Sequence, residues 1–209
     1  MRSRRLCAVC ACLATAAFDA NAVMLTFEGF SPFATADSAG DFIDTRGYRL
    51  INLEPRTTDG FQAIVPNAGA PNNRSAAIFN ANDSSLALTT VNGSPFNLLA
   101  LDFASRASGT GNNRSARFIN VIGTASSGET VSFQTSALGD NFATAWLPTS
   151  FSGLTSVLFH PVVNQNSGIL NYEFILDNIS VSAVPLPAAV YLFGSGLLGL
   201  GGMAIRKSG

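Results

Sequence analysis

The 209-residue chain contains little of what most metal and redox sites require, since it has only three cysteines and one histidine. The cysteines are Cys7, Cys10 and Cys12, and all three belong to the first 22 residues. The remainder therefore has no thiol for a disulfide, a zinc site or a covalent mechanism. A single histidine, His160, argues against any mechanism that needs two.

Charged residues are also scarce, at 12% of the chain, which is about half the usual share in soluble domains. Between residues 23 and 183 there are seven arginines, no lysine and twelve acidic residues, which gives a net charge of −5. Affinity for DNA or RNA depends on cations that neutralise phosphates. The composition therefore predicts no nucleic-acid partner.

The first 22 residues contain the three blocks of a secretory signal peptide in the required order. These are a basic start with Arg2, Arg4 and Arg5, an apolar run over 6–18, and small residues at the cleavage site. We predict a signal peptide over residues 1–22, with cleavage between Ala22 and Val23. The alternatives are an uncleaved anchor, a buried core helix, or lipid attachment at Cys12.

An apolar run of 18 residues without a charge covers 188–205, close to the end of the chain. As an α-helix it spans about 27 Å, close to the hydrocarbon thickness of a bilayer. We predict a transmembrane helix over 188–205, followed by a basic tail over 206–209. Arg206 and Lys207 form the membrane stop and predict a cytoplasmic C-terminus.

A proline-containing segment precedes this helix and favours an extended backbone just outside the membrane. Its residues are Val184, Pro185, Leu186 and Pro187. Together with the apolar run and the basic tail, the segment closely resembles the PEP-CTERM sorting signal in its VPLPA variant. Leu186 stands where the commonest form of that motif has glutamate, which leaves the subtype of the processing enzyme open.

The resemblance covers residues 184–209 and implies a destination. It implies recognition by an exosortase-type membrane protease or transpeptidase in the inner membrane of a Gram-negative bacterium. The C-terminal anchor would be transient, and the processed protein would reach the cell surface or the exopolysaccharide matrix. The alternative is a plain tail-anchored protein of the inner membrane.

Residues 23–183 have the length of one domain and the pattern of an all-β fold. Short runs of β-branched and aromatic residues recur between glycine, asparagine, proline and serine. The 16 phenylalanines of the chain supply a core that needs no disulfide. We predict a jelly-roll β-sandwich ectodomain built from about ten short strands.

The two ends of this domain resemble galactose-binding-like jelly rolls and carbohydrate-binding modules, through residues 26–29 and 176–181. That resemblance implies a structural calcium ion held by acids from the first and last strands. Carried over, the ligands are Glu28 and Asp177, with Asp41 or Asp44 as helpers, and carboxylates suit calcium. The alternative is that Asp177 belongs to a polar strand end that faces water.

A pentapeptide occurs twice, at residues 72–76 and 112–116, and each copy leads into a predicted strand. Arg74 and Arg114, one in each copy, are candidate ligand contacts because guanidinium groups suit sugar hydroxyls and carboxylates. The favoured interpretation is that both copies of the pentapeptide simply form turns and have no role in binding.

Trp146 and Tyr48 are candidate aromatic contacts for a sugar ring. The apolar neighbours of Trp146, Ala145 and Leu147, favour a core position for it instead.

No catalytic residues can be assigned from the sequence, because it contains neither the G-x-S-x-G nor the H-E-x-x-H motif. We therefore predict an exported, non-enzymatic surface or matrix protein whose β-sandwich serves in adhesion or carbohydrate binding, with exopolysaccharide as the partner. A purely structural matrix protein without a defined ligand and a secreted hydrolase are the alternatives.

Overall fold

The computed structural model describes residues 21–28, 35–36, 40–53, 61–64, 75–80, 84–105, 116–162 and 173–184. These residues form thirteen β-strands and no helix, so none of them belongs to a membrane-spanning helix. The prediction of an all-β domain is confirmed. Most of the predicted signal peptide and the predicted helix over 188–205 lie outside the described residues.

The strands are short except for β8, β9, β12 and β13. Their bounds are β1 (Ala22–Leu25), β2 (Thr35–Ala36), β3 (Phe42–Thr45), β4 (Tyr48–Asn52), β5 (Phe61–Ile64), β6 (Ala77–Asn80), β7 (Leu86–Thr90), β8 (Phe96–Ser105), β9 (Phe118–Ala125), β10 (Thr130–Gln134), β11 (Ala143–Trp146), β12 (Leu154–Val162) and β13 (Phe174–Ala183). Both pentapeptides lead into strands as predicted, since Ala76 precedes β6 and Ala116 lies just before β9.

Antiparallel pairing divides the strands into two groups. The first sheet runs β2-β5-β6-β13-β8, with β1 also beside β13 and β11 also beside β8. The second sheet runs β10-β9-β12-β7-β4-β3. One residue pair, Leu154 of β12 with Phe96 of β8, links the two groups.

Both sheets bury side chains in one hydrophobic core. Phe103 and Phe174 come from the first sheet and Phe159 comes from the second, and all three are almost completely buried in the same cluster. Two sheets that share one core in this way have the arrangement of a β-sandwich. Phenylalanine therefore supplies the core as the composition predicts.

Strand β13 contains a bulge at Asn178. Leu176 and Ile179 both face the core although they are three residues apart, and regular alternation places only every second residue there. Asn178 has a φ of 47°, and the register with β8 shifts between Asp177 and Ser180. Asparagine tolerates this left-handed conformation better than most residues. Asp177 is thus buried within a strand, which overturns the alternative of a water-facing strand end.

Candidate ligand-binding site

Trp146 is the most exposed large apolar side chain of the described residues, with 76% of its surface accessible. It is the last residue of β11 and pairs with Ala100 of β8. Ala145, the preceding residue, belongs to the core, so Trp146 points away from it on the outer face of the first sheet. The core position that its neighbours favoured is therefore wrong.

Register places three further residues in line with Trp146. Ala100 pairs with Ser180 of β13, and Ser180 pairs with Met24 of β1. Met24 is 49% exposed and precedes the buried Leu25, so it also faces outward. We call Trp146, Ala100, Ser180 and Met24 the Trp146 platform. It crosses four strands, or about 14 Å at the usual spacing between strands, and its two central side chains are small.

A polar row borders the platform on one side. The hydroxyl of Thr144 donates to Oδ1 of Asp102 at 2.6 Å, and the side-chain amide of Asn178 donates to Oδ2 of Asp102 at 2.9 Å. Thr144 and Asp102 are each two residues from a platform residue on the same strand, so they share its face. Hydrogen bonds across three strands therefore fix this border.

A cleft of about 550 Å³ lies beside Trp146, lined by Asn97–Leu99, Trp146–Thr149, Phe151 and Ser152. Its loop is attached to β8 through the backbone, since the amide of Leu147 donates to the carbonyl of Leu99 at 2.9 Å. The amide of Leu98 donates to the carbonyl of Phe151 at 3.0 Å. The buried Phe151 ring anchors the same loop in the core. No lining residue carries a charge.

Asn97 holds the end of this loop with both ends of its side-chain amide. Its Oδ1 accepts from the backbone amide of Gly153 at 2.9 Å, and its Nδ2 donates to the Ser182 hydroxyl at 3.0 Å. Asn97 therefore connects the loop to β13. The sequence analysis missed Asn97, Met24 and Asp102, because their grouping depends on strand pairing between distant parts of the chain.

The other predicted aromatic contact, Tyr48, lies in the core and is only 7% exposed. Its ring packs edge-on against Phe96, with centroids 5.4 Å apart. Burial raises the pKa of the Tyr48 hydroxyl above its usual value. A buried ring in this position cannot stack on a ligand at the surface. Arg74 and Arg114 lie outside the described residues.

The acids predicted to hold calcium have other partners. Oε1 of Glu28 accepts from the backbone amide of Ala76 at 2.9 Å, and Oδ1 of Asp177 accepts from the amide of Asn178 at 2.7 Å. Among the described residues, no three His, Cys, Asp or Glu side chains group as a metal site requires. Calcium bound by Glu28 and Asp177 stays a prediction.

The proposed calcium helpers lie on the approach to β3 and within it. Both carboxylate oxygens of Asp44 accept from Arg49, at 2.8 and 2.9 Å. The hydrogen bond from Arg49 lowers the pKa of Asp44 below its ordinary value. Asp41 is exposed beside β3 and also has an interaction of its own. Arg49 therefore occupies the oxygens that Asp44 would offer to a metal.

His160 lies within β12, exposed, with its Nδ1 2.8 Å from the hydroxyl of Ser85. Ser85 precedes β7 and is itself buried. Asn120 is opposite His160 on β9. The contact is a cross-strand hydrogen bond within the second sheet.

The residues of the predicted processing sites fall at the edges of the described domain. Ala22 and Val23, which flank the predicted signal cleavage, belong to β1 and pair with Ser182 and Val181. Val184, the first residue of the predicted sorting motif, is the last described residue of the chain. Pro185, Leu186, Pro187, Arg206 and Lys207 lie outside the described residues.

No protein-family model and no curated protein sequence matches this chain. Its fold is similar to part of MgGH51 α-L-arabinofuranosidase, with 11% identity and a TM-score of 0.46 over 76% of this chain and 26% of that protein. It is also similar to part of an exo-β-agarase, with 12% identity and a TM-score of 0.41 over 73% of this chain and 25% of that one.

A third similar structure is the tandem CBM22 domain of Paenibacillus barcinonensis Xyn10C, with 10% identity and a TM-score of 0.36 over 72% of this chain and 50% of that one. The chain thus spans about a quarter of the arabinofuranosidase and the agarase. Scores this low carry no argument about function, which has to be made from the site itself.

Proposed function

We propose that this domain is a jelly-roll β-sandwich that binds carbohydrate on the Trp146 platform without catalysing a reaction. The observation that carries the proposal is the exposure of Trp146 beside Ala100, in a row that ends at Met24. An indole ring combines a flat apolar face with an N–H donor, which suits the C–H face and the hydroxyls of a sugar. Ala100 beside it is only 4% exposed, so the exposed indole face itself offers the stacking surface.

The surroundings of Trp146 support the same ligand class. Asn97, Thr149 and Ser152 line the cleft, and the hydroxyl groups of Thr149 and Ser152 offer neutral donors and acceptors for a sugar. The loop that carries two of them is attached to β8 by backbone hydrogen bonds, so its groups are ordered before a ligand arrives. Preorganisation of this kind lowers the entropy lost on binding.

We further propose that the domain acts outside the cell, in adhesion or within an exopolysaccharide matrix. The support is the signal-peptide pattern over residues 1–22 and the resemblance of residues 184–209 to an exosortase sorting signal. Replacement of Pro185 and Pro187 by alanine should leave the full-length form in the inner membrane. Normal release of that variant to the surface would contradict recognition by an exosortase.

A glycan array with the mature, exported protein tests the carbohydrate proposal. We expect binding to at least one polysaccharide, and Trp146→Ala should weaken it by about tenfold or more, which is the loss of one well-stacked aromatic contact. Val91→Ala is the matched control, because Val91 is 50% exposed in the turn after β7 and remote in register from the platform. Absence of binding by the wild type, or equal binding by Trp146→Ala, would contradict the proposal.

The hydrolase alternative has one observation in its favour, the contact between Ser85 and His160. Incubation of the protein with the polysaccharide that it binds, followed by an assay for new reducing ends, separates the two functions. We expect no turnover. Turnover that disappears in both Ser85→Ala and His160→Ala would establish a hydrolase instead.

A further inference from the structure

Two acids are nearest to the Trp146 platform in register, the fully buried Asp177 of β13 and, opposite it on β8, the partly exposed Asp102. Asp102 follows the platform residue Ala100 by two positions on β8, which is about 7 Å along a strand. Its two described hydrogen-bond donors, Thr144 and Asn178, are both neutral. The one salt bridge among the described residues joins Asp44 to Arg49 and does not involve Asp102. Its negative charge is therefore not offset by a described cation.

Cations are absent from the described part of the first sheet. The three described arginines, Arg46, Arg49 and Arg117, all belong to the second sheet or its hairpin. Arg49 is bound to Asp44, and Arg117 lies 5.0 Å above the ring of Phe118 at the start of β9. The chain has no lysine between residues 23 and 183. A negatively charged ligand on the platform therefore meets an acid and no described base.

The cleft beside Trp146 also lacks basic side chains among its lining residues. Its polar side chains are Asn97, Thr149 and Ser152, and none of its lining residues is ionisable. Amide and hydroxyl groups pair well with sugar hydroxyls but do not compensate the charge of a carboxylate or a sulfate. The described residues on both sides of the indole therefore favour uncharged groups.

We infer that the Trp146 platform selects uncharged polysaccharides and rejects polymers that carry carboxylate or sulfate groups, with Asp102 as the residue that determines this specificity. This inference rests on the proposed carbohydrate function. A like charge at about 7 Å weakens binding roughly threefold in water and more strongly where the ligand displaces water. A polymer with a negative charge on many of its units is repelled in this way at every position that it can occupy on the platform.

Chemical conversion of one polymer into its acidic form gives a matched pair of ligands. A neutral polysaccharide that binds the wild type is oxidised at its primary alcohols, which turns C6 hydroxyl groups into carboxylates without changing the backbone linkages. Affinity for the original and the oxidised polymer is then measured by isothermal titration calorimetry at low and high salt. We expect the oxidised polymer to bind at least threefold more weakly, and 0.5 M salt to reduce that difference because it screens charges beyond about 4 Å.

Asp102→Asn tests the residue itself. It removes the charge and keeps an oxygen acceptor, so we expect the ratio of the affinities for the neutral and the oxidised polymer to fall to near one. Should the variant fold poorly, the salt dependence of the wild type still tests whether charge repulsion causes the selectivity. Asp140→Asn is the control, since Asp140 accepts from Ser105 at the far end of β8.

The outcomes separate the inference from the function on which it rests. Equal or tighter binding of the oxidised polymer, or a loss that salt and Asp102→Asn both leave unchanged, overturns the inference but keeps the carbohydrate function. Binding of acidic polymers alone overturns the inference too, and makes Arg74 and Arg114 the next residues to replace. Binding of neither form overturns the carbohydrate function and the inference together.

Discussion

The side-chain amide of Asn178 lies 2.9 Å from Oδ2 of Asp102 and joins the bulge of β13 to the neighbouring strand β8. The backbone amide of the same residue is bound by Oδ1 of Asp177. Asn178 is thus held from two sides in a left-handed conformation that most residues avoid. This bulge lets Leu176 and Ile179 both reach the core.

Replacement of Asn178 separates the cost of its conformation from the value of its hydrogen bond. Asn178→Ala removes the side-chain hydrogen bond to Asp102 and puts a residue that disfavours the left-handed conformation at this position. It should therefore lower the free energy of unfolding by about 2–3 kcal/mol. Asn178→Gly keeps the conformation accessible and should lose about 1 kcal/mol less. Equilibrium urea unfolding measures both values. Equal losses in the two variants would show that the backbone conformation carries no cost here.

Gly123 in β9 has no room for a side chain. A Cβ atom there would lie 2.8 Å from Cδ1 of Leu154 and 3.1 Å from Cγ2 of Val131. Gly123→Ala should therefore lower the free energy of unfolding by about 1–3 kcal/mol, the range typical of overpacked cores. Gly139→Ala is the control, because a Cβ at Gly139 meets nothing within 4 Å. A stability loss of the same size in both variants would contradict steric crowding as the cause.

The pair of Asp44 and Arg49 predicts a pH dependence with a definite sign. The hydrogen bond from Arg49 lowers the pKa of Asp44 in the folded protein, so the pair stabilises the fold above the ordinary pKa of an aspartate. This stabilisation is lost as the pH falls through the lowered value. The effect on stability is small because both side chains are exposed. An NMR titration should give Asp44 a pKa below its usual value, and Arg49→Gln should return it to normal.

Asn97 provides a test of the loop beside Trp146 that leaves the aromatic ring in place. Asn97→Ala removes the bonds to Gly153 and Ser182, so hydrogen exchange at the Gly153 amide should become faster. Carbohydrate affinity should fall several-fold because the loop is no longer ordered before binding. Asn92→Ala is the control, since the described hydrogen bond of its side chain, from the amide of Ser94, lies within the turn that follows β7. Unchanged affinity in Asn97→Ala would show that the loop does not take part in binding.

Calcium is the remaining prediction from sequence resemblance. If Glu28 and Asp177 bind it, millimolar calcium should raise the Tm relative to the metal-free protein, and Asp177→Asn should abolish that shift. Asp44→Asn should preserve the shift, because Arg49 already occupies the oxygens of Asp44. Scanning calorimetry with calcium or a chelator gives both values. An identical Tm in the two conditions would rule out a structural calcium at these residues.

The all-β class could be predicted from the sequence, because short runs of β-branched and aromatic residues between turn residues are typical of β-strands. Tyr48 could also have been placed correctly. Its strand alternates with Arg49 outside, so Tyr48 and Leu50 share the buried face. The two apolar neighbours of Trp146 misled the analysis, since alternation puts Ala145 inside and Trp146 outside. Local composition does not reveal which face of a short strand is covered.

The platform itself could not be predicted, because its residues are brought together by pairing rather than by sequence. Met24 comes from the first described strand and Ser180 from the last, with Ala100 between them on β8. Such a grouping depends on the register of three strand pairs, and a slip of one residue in any of them would turn the side chains over. The bulge at Asn178 adds a further change of register that hydrophobic periodicity does not show.

The pairing of β1 with β13 also determines when the first sheet can be completed during folding. Val23 is opposite Val181 and Leu25 is opposite Ile179, so the first described strand pairs with the last one. Contacts this distant along the chain slow folding, since the intervening loop must close first. If the chain crosses a translocation pore N-terminus first, β1 cannot pair with β13 until β13 has left the pore. Completion of the first sheet would therefore require that almost the entire described domain has left the pore.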